Sequence, residues 1–481
     1  MLVVVCFILR QCAIIGIPEG QNIIIYFLKR KYMPLSSLPL IQEADLKNKV
    51  VLVRVDHNVV KNGVIHDPYR IDATFGTLFY ILAKGGKIIL MTHVGRPRNK
   101  KDGSITQDAS TSVKPIVDYL ENKLHISIEV PEFYAHGKEG YLSIESSVNH
   151  SIRRLRDHEV DMIYLPNTRW FIGEEAKDEN ADRFANQLAG LADIYVNDAF
   201  GSWQPHVSTY GITKYLPSYA GFLMQKEIEN LERIFHAKQP LVSVVAGSKF
   251  DTKIDSLYAL LQKSDHLVLG GVIYNAYLCA KYGIGIKGVE GADVQMAAEF
   301  VKFAEQYPKK IVELPFIVES DVFGERVEGK YRVHDIRKLK KGTELNYVLD
   351  VAPESYDEPE ILNVFLSAKT IFVNAVMGLV PHFNEGTIAL DTVIDRNPHA
   401  VKLYGGGDTM QELKRLLPGL YIMALDSKDY YIFTGGGAVL KAIEQNSPSG
   451  LAPVRALIEQ KAEQEKWKQR LGNSRTLQQK Y

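Results

Sequence analysis

Cysteine is scarce in this sequence, which has only Cys6, Cys12 and Cys279 among its 481 residues. Three thiols are too few for the disulfide framework that stabilises small secreted proteins. The CxxC, HExxH and GxSxG patterns of redox, zinc and serine chemistry are missing as well. We therefore expect a protein of the reducing cytoplasm whose chemistry uses neither a zinc ion nor a covalent nucleophile.

Charge of one sign is not in excess either, because 57 Lys and Arg residues balance 57 Asp and Glu residues. A basic stripe that binds nucleic acid or an anionic membrane surface is therefore not expected. The 46% of hydrophobic and 24% of charged residues are typical of a globular protein. At about 100–200 residues per domain, the length favours two large domains.

A long hydrophobic run is missing too, although residues 1–32 are unlike the rest of the chain. The apolar runs at residues 1–9 and 23–28 fall short of the roughly 18 residues that a membrane-spanning helix needs. They also lack the order of a signal peptide, in which a basic start precedes one apolar block. We interpret residues 1–32 as a non-native or disordered extension and Met33 as the biological start.

From residue 50 onward, short apolar runs alternate with amphipathic stretches. Strands are predicted at residues 50–55, 87–91, 162–165, 194–197, 241–245, 266–269, 310–313, 370–374, 401–404 and 431–433. Helices are predicted between them, for example at residues 71–84 and 113–123. Strands joined by crossover helices form parallel sheets, so the predicted fold is α/β, with two Rossmann-like, doubly wound parallel-sheet domains.

A long amphipathic stretch at residues 219–235 interrupts this alternation. Its Leu223, Ile228 and Leu231 lie at near-helical spacing, which predicts a hinge helix between the two domains. The predicted segments are the extension (1–32), an N-terminal domain (33–217), a hinge helix (218–238), a C-terminal domain (239–450) and a charged C-terminal helix or tail (451–481).

Two triple-glycine turns follow predicted strands in the second half, at residues 405–407 and 435–437, and each precedes a helix-compatible stretch. Such a turn directs backbone N–H groups and the positive end of a helix dipole toward a phosphate. Asp408, beside the first turn, is suited to Mg2+ bridged by nucleotide phosphates. The alternative is that the turns only reverse the chain and that Asp408 caps a helix.

Two lysines follow another predicted strand, at residues 241–245. Lys249 and Lys253 are four residues apart, so a helix would place both on one face, where they could meet a triphosphate. The surrounding sequence is not a Walker A loop, and a solvated basic face is the alternative. Residues 283–288 match GxGxxG, but they follow a helix-like stretch, which argues against a dinucleotide fingerprint.

The first half carries a different set of polar residues, which follow predicted strands or begin a helix. They are Asp56, Asn58, Arg70, His93, Arg96 and Arg169. Arginine forks bind carboxylate and phosphate groups bidentately, so the cluster is suited to a small ligand that carries both groups. Any one of these arginines alone would more often form a surface ion pair.

Nine motifs resemble, in the same order, those of the phosphoglycerate kinase family. They are VRVDHNV (53–59), DPYRI (67–71), THVGRP (92–97), LPNTRW (165–170), NDAFG (197–201), GSKFDTKI (247–254), DVAPES (350–355), GGGDT (405–409) and TGGGA (434–438). The similarity spans residues 34–451, nearly the whole chain. It implies Mg-dependent phosphoryl transfer between 1,3-bisphosphoglycerate and ADP, by a monomer whose domains close on the hinge helix.

The resemblance also implies which residues bind which substrate. Phosphoglycerate would be bound by Asp56, Asn58, Arg70, His93, Arg96 and Arg169, with assistance from His206. ADP or ATP would be bound by Lys249, Lys253, Asn374, Gly405, Gly406, Gly407, Asp408 and Thr409, with Mg2+ on Asp408. The transferring phosphoryl group would be stabilised by Arg70, Lys253, Gly407 and Gly436, in a reaction that needs no strong base.

The sequence departs from the family at three places. The loop at residues 202–206 is one residue shorter and lacks the family's arginine, for which His206 would partly substitute. The stretch from Asn374 to Pro381 lacks the family's glutamate near the nucleotide, and Ala352 replaces a usual glycine. Weakened activity or an altered nucleotide preference would follow.

Two alternatives to an active kinase stay open at this point. The first is a non-catalytic protein of the same family that binds nucleotide or a phosphorylated ligand as a regulator. The second, which rests on residues 283–288 alone, is a dehydrogenase that binds NAD.

Overall fold

The computed structural model describes residues 37–478, so the predicted extension at residues 1–32 and the last three residues lie outside the described part. Two six-stranded parallel sheets form its framework, which confirms the predicted α/β class. Among the described helices, none is both long and apolar enough to cross a membrane.

The first of these sheets, hereafter the N-terminal sheet, surrounds one fully buried strand, Val50–Val55. From edge to edge, its strands are Ile128–Glu129, Met162–Tyr164, Lys87–Met91, Val50–Val55, Ile194–Asp198 and Ser218–Ala220. Parallel strands need crossover connections, and helices supply them. These helices are Tyr69–Asp72, Phe75–Ala83, Lys114–Leu124, Val148–Arg156 and Glu179–Ala189.

The second sheet, hereafter the C-terminal sheet, repeats this design. Its strands are Ile311–Val312, His266–Gly270, Leu241–Gly247, Thr370–Asn374, Val401–Gly405 and Tyr430–Phe433. Its helices are Ile254–Lys263, Gly271–Tyr282, Gly291–Ala304, Pro359–Ser367, Glu385–Asp395, Gly407–Leu416, Pro418–Asp426 and Gly436–Glu444. The predicted strands of both sheets are confirmed, with ends that shift by two residues at most.

Some elements were not predicted from the sequence. Three antiparallel strands, Phe316–Ser320, Tyr331–Asp335 and Tyr347–Val351, form a small sheet of their own. Two shorter pairs join Val60–Lys61 to Val64–Ile65 and Gly285–Ile286 to Glu344–Leu345. Their brief, partly polar strands give no clear alternation of apolar residues.

The connecting helix, Phe222–Phe235, follows the last strand of the N-terminal sheet. The prediction of a helix over residues 218–238 was wrong at its start, because Ser218–Ala220 is an edge strand that pairs with Ile194–Asp198. Amphipathic spacing continued smoothly through that short strand, so periodicity alone could not separate the two elements.

The C-terminal helix, Ala452–Gln478, returns to the N-terminal sheet. Gln460 Nε2 donates to the carbonyl oxygen of Thr213 at 2.6 Å, and its Oε1 accepts from the Ser218 backbone N–H at 2.9 Å. The segment predicted at residues 451–481 as a charged helix or tail is therefore helical over its described part. Its first turns are docked, not solvated.

Candidate active site

The carboxyl ends of the two sheets face each other across a cleft. The turns that follow one strand of each sheet touch there, because a Cβ on Gly435 would lie only 2.5 Å from the Gly201 Cα. Tyr69 Oη also donates to the carbonyl oxygen of Ile432 at 2.9 Å. Ligands of open α/β sheets bind at this end of the strands, so both candidate sites open into the same space.

Arg54 organises the N-terminal side of the cleft, although it lies fully buried within a strand. Its Nε donates to Ser208 Oγ at 2.8 Å, and its Nη2 donates to His93 Nδ1 at 3.0 Å. Burial and the charge of Arg54 lower the pKa of His93 well below its usual value. His93 is therefore a neutral ring with its proton on Nε2, and this N–H can donate a hydrogen bond to a ligand oxygen.

Asp56 and Arg70 form the next part of this site, with Arg70 Nη1 3.3 Å from Asp56 Oδ2. The other carboxylate oxygen, Oδ1, is buried and has no hydrogen-bond partner among the described residues. A Cβ on Gly201 would lie 2.2 Å from Asp56 Oδ2, so only glycine fits beside this carboxylate. The unsatisfied oxygen is suited to a ligand hydroxyl donor.

Asn58 and Arg169 hold the loop that contains His93 and Arg96. Asn58 Oδ1 accepts from the Gly95 N–H at 2.9 Å, and Arg169 Nη1 donates to the Gly95 carbonyl at 2.6 Å. Arg96 itself is exposed on this loop. The structure thus brings together the residues predicted for this site, and it adds Arg54, which the sequence did not indicate.

His206 reaches the same cluster but does not supply a full charge. Its Nε2 lies 3.8 Å from Glu175 Oε1. Burial lowers the pKa of His206, although Glu174 opposes this shift. Near neutral pH the ring is therefore a hydrogen-bonding group and replaces the charge of the missing loop arginine only weakly.

A cavity of about 600 Å³ lies at the carboxyl end of the C-terminal sheet. Its polar wall includes Lys253, which donates to Asn374 Oδ1 at 2.6 Å and to the Ala246 carbonyl. Burial lowers the pKa of Lys253 to about 8, and Asp408 opposes this shift. Asn374 Nδ2 in turn donates to the Gly405 carbonyl, so one amide ties the lysine to the first glycine turn.

The two glycine turns pack directly on each other. Gly406 has a φ of +127°, and a Cβ on Gly436 would lie 2.4 Å from the Gly406 Cα. Gly407 and Gly436 are the first residues of two helices. Because a helix N-terminus presents backbone N–H groups and the positive end of its dipole, this arrangement is suited to an anion.

Two of the remaining predicted nucleotide residues, Asp408 and Thr409, line the cavity in the first turn of the helix Gly407–Leu416. Thr409 is buried there. Lys249 is exposed and follows Ser248, which lines the cavity, but Lys249 is not itself a lining residue. Glu385, the first residue of the helix Glu385–Asp395, pairs with Arg326 at 2.5 Å.

The opposite wall of the cavity is apolar. It is formed by Ile317, Phe323, Val348, Leu349 and Leu379. Phe323 keeps 60% of its surface exposed, and its ring lies 5.2 Å from that of Tyr347. No sequence pattern indicated this wall, because most of these residues belong to the antiparallel strands and their hairpin. A planar apolar group next to a polyphosphate fits such a cavity.

Two buried carboxyl groups fasten the connecting helix between the sheets. Asp198 Oδ1 accepts from the Met224 N–H at 3.0 Å, and Glu227 Oε1 accepts from the Thr434 N–H at 2.8 Å. Burial raises the pKa of Asp198 to about 6 and that of Glu227 to about 7. The helix therefore contacts the second glycine turn directly.

Of the GxGxxG match at residues 283–288, Gly288 alone lines the cavity. Gly283 ends the helix Gly271–Tyr282 with a φ of +65°, so it is a helix-terminating glycine. A dinucleotide fingerprint would instead join a strand to the helix after it. The dehydrogenase alternative loses its only support.

Comparison with known proteins gives one consistent family. A model of the phosphoglycerate kinase family matches residues 41–446. The phosphoglycerate kinase of Wolbachia sp. subsp. Brugia malayi is 34% identical over 433 residues, which cover 88% of this chain and 99% of the relative. That of Dictyoglomus turgidum is 33% identical over 86% of this chain and 97% of its own length.

A solved structure agrees with the sequence comparisons. The phosphoglycerate kinase of Coxiella burnetii is similar with a TM-score of 0.68 and 27% sequence identity, over 89% of this chain and all of that one. These matches favour an enzyme over a non-catalytic regulator. The chain belongs to the phosphoglycerate kinase family, and its function is phosphoryl transfer between 1,3-bisphosphoglycerate and ADP to give 3-phosphoglycerate and ATP.

Proposed function

We propose that the cluster at the carboxyl end of the N-terminal sheet binds the phosphoglycerate substrate. Its members are Asp56, Asn58, Arg70, His93, Arg96, Arg169 and His206. The unsatisfied Asp56 oxygen suits the substrate hydroxyl, and the neutral His93 ring can donate from Nε2. The arginines supply the positive charge that the carboxylate and phosphate groups require.

The nucleotide binds, in this proposal, in the cavity of the C-terminal sheet. The base lies against the apolar wall, and the phosphates lie at Lys249, Lys253, Asn374, Gly405, Gly406, Gly407, Asp408 and Thr409. The observation that carries this assignment is the packing of Gly436 on Gly406, which brings two helix N-termini together beside Lys253. Backbone N–H groups and one cation there can hold a polyphosphate.

Mg2+ fits the same place. An Mg2+ ion on a nucleotide takes most of its ligands from phosphate oxygens and water and only one or two from carboxylates. Asp408 offers an exposed carboxylate on the cavity wall, in the first turn of a helix. We propose that Asp408 holds the ion, which would supply charge neutralisation at the phosphates.

Transfer of the phosphoryl group needs positioning and positive charge, since a carboxylate and a phosphate exchange it without a strong base. We assign this role to Arg70 on one side of the cleft and to Lys253 on the other. The N–H groups of Gly407 and Gly436 add preorganised donors. Gly201 and Gly435 touch across the cleft, so the closed site excludes water that would hydrolyse an acyl phosphate.

The domain borders remain our proposal. They are an N-terminal domain at residues 33–217, a hinge at 218–238 and a C-terminal domain at 239–450, followed by the segment 451–481. Both candidate sites lie within one chain, which supports hinge closure within a monomer. The scarcity of cysteine supports a cytoplasmic location.

The site assignment is tested with the full chain in a coupled assay that follows formation of 1,3-bisphosphoglycerate from 3-phosphoglycerate and Mg-ATP. We expect Lys253→Ala and Arg70→Ala to lower kcat by at least about a hundredfold, because each removes charge from the transferring group. Arg153→Ala and Lys428→Ala, which change exposed side chains elsewhere, are the controls. Near-normal turnover in either site variant would contradict the assignment.

A further inference from the structure

Glu175 lies where three basic side chains converge. Its Oε1 is 3.0 Å from Arg169 Nε and 3.8 Å from His206 Nε2, and its Oε2 is 3.8 Å from Arg98 Nε. Between 12% and 30% of each of these four side chains is exposed. They are therefore screened by water less than an ordinary surface pair. Neither Arg98 nor Glu175 was indicated by the sequence.

The arginines are not satisfied by this carboxylate. The Nε atoms of Arg98 and Arg169 are buried and make no hydrogen bond within the described chain, although both are close enough to Glu175 for ion pairing. One further nitrogen of each is used elsewhere, since Arg169 Nη1 donates to the Gly95 carbonyl and Arg98 Nη2 to the Ile172 carbonyl. Two charged donors thus remain available to an anion with better geometry.

The neighbouring Glu174 shows what a fixed carboxylate looks like in this region. It is fully buried and accepts hydrogen bonds from Thr168 Oγ1 at 3.1 Å and from the Ser208 N–H at 2.9 Å. Glu175 lacks such anchors among the described residues and keeps 26% of its side chain exposed. Charge alone holds it, so it can move when another anion arrives.

We propose that Glu175 is an internal competitor of the substrate, paired with Arg98 and Arg169 while the site is empty and displaced by the phosphate group of phosphoglycerate. This inference rests on the proposed substrate-binding role of Arg169. A phosphate carries more charge and more acceptor oxygens than a carboxylate, so it can satisfy both free Nε donors. The competition lowers the affinity for phosphoglycerate and leaves the nucleotide site unaffected.

The test compares Glu175→Gln, which removes the charge, with Glu175→Asp, which retains it. For Glu175→Gln we expect the KM for 3-phosphoglycerate to fall about three- to tenfold, with the KM for ATP unchanged. Glu175→Asp should stay within about twofold of the parent enzyme. Glu159→Gln, which removes a carboxylate paired with Arg154 at 3.1 Å outside the cluster, is the matched control.

Calorimetric titration with 3-phosphoglycerate and with inorganic phosphate separates this inference from the kinase assignment. Tighter binding of both ligands by Glu175→Gln supports the competition, even if the chain showed no turnover at all. Unchanged or weaker binding would overturn it, because Glu175 would then only position the arginines. Equal tightening by Glu175→Asp would overturn it too, since the carboxylate charge would not be the cause.

Discussion

The two sides of the cleft present different groups to an anion. The N-terminal side presents charged side chains: hydrogen bonds hold Arg54, Arg98 and Arg169 in place, and Glu175 pairs with the last two. The C-terminal side presents backbone N–H groups of the two glycine turns, with Lys253 beside them. The N-terminal site depends on the charge of its side chains, and the C-terminal site depends on the close approach of its two glycine turns.

The two sides should therefore tolerate different kinds of change. A charged side chain can be lengthened, shortened or neutralised, and the affinity then changes by degrees. A backbone site has less freedom, because a Cβ on Gly435 or Gly436 would meet the main chain of another turn. We therefore expect the two sides to respond to mutation and pH in separate ways.

The largest loss of activity is expected when the contact between the two glycine turns is disrupted. In Gly436→Ala the new Cβ would lie 2.4 Å from the Gly406 Cα, so the two turns must separate. We expect kcat to fall at least about a hundredfold, the size of the loss when one preorganised donor is removed. Turnover is measured in the coupled assay, and a thermal melt checks that the variant is folded.

Gly419→Ala is the matched control for this prediction, because a Cβ at Gly419, also in the first turn of a helix, meets nothing within 4 Å. Its kcat should equal that of the parent. An active Gly436→Ala variant would mean that the close approach of the turns is not required for catalysis.

The two sides should also differ in how ligand binding depends on pH. Burial lowers the pKa of Lys253 to about 8, so its charge is present below pH 8 and lost above it. We expect the Kd of Mg-ATP to rise about tenfold between pH 7 and 9, since the charged fraction of Lys253 falls from about nine-tenths to about one-tenth over this interval. Calorimetry at pH 7, 8 and 9 measures it.

Binding of 3-phosphoglycerate should stay flat over the same range, because the pKa of His93 lies far below it and the ring is already neutral. Lys253→Arg, which stays charged at pH 9, should remove the pH dependence of ATP binding. If the binding of both ligands weakened in parallel, the titrating group would be a residue other than Lys253.

The smallest expected effect concerns the link between the two sides. Burial raises the pKa of Glu227 from 4.5 to about 7, so the folded protein holds this proton more tightly than the unfolded chain does. Stability then falls as pH rises through this interval, and we expect a loss of roughly 1–3 kcal/mol in the free energy of unfolding between pH 5 and 8.

Glu227→Gln should lack this part of the pH dependence, as measured by urea unfolding at both pH values. Glu229→Gln, an exposed residue of the same helix, should keep it. Identical pH profiles for the parent and Glu227→Gln would show that the Glu227 proton does not contribute.

The sheets could be predicted from the sequence because their strands are short apolar runs with polar residues directly after them. Asp56, His93 and Asn374 lie at or just after strand ends, and the structure places all three at the cleft. The glycine turns were equally visible, since two GGG stretches each follow a strand. Local sequence determines these features, so sequence analysis finds them.

Other parts depend on contacts between distant residues. Arg54 lies inside a strand of six buried residues, and its hydrogen bonds to Ser208, His93 and the Val55 carbonyl explain a charge there. Glu174 and Glu175 are neighbours in the sequence, yet one is fixed and the other is held by charge alone. No spacing rule distinguishes such cases, because the distinction arises from tertiary packing.

The return of the C-terminal helix to the N-terminal sheet has a consequence for the order of events during protein synthesis. The Ser218 N–H and the Thr213 carbonyl find their partner in Gln460, more than 240 residues later in the chain. Domains generally fold as units, the N-terminal one first, while the ribosome is still extending the chain. Ala220 at this edge pairs with Leu40, which is made early, whereas the Ser218 part of the edge stays uncovered until Gln460 has been translated.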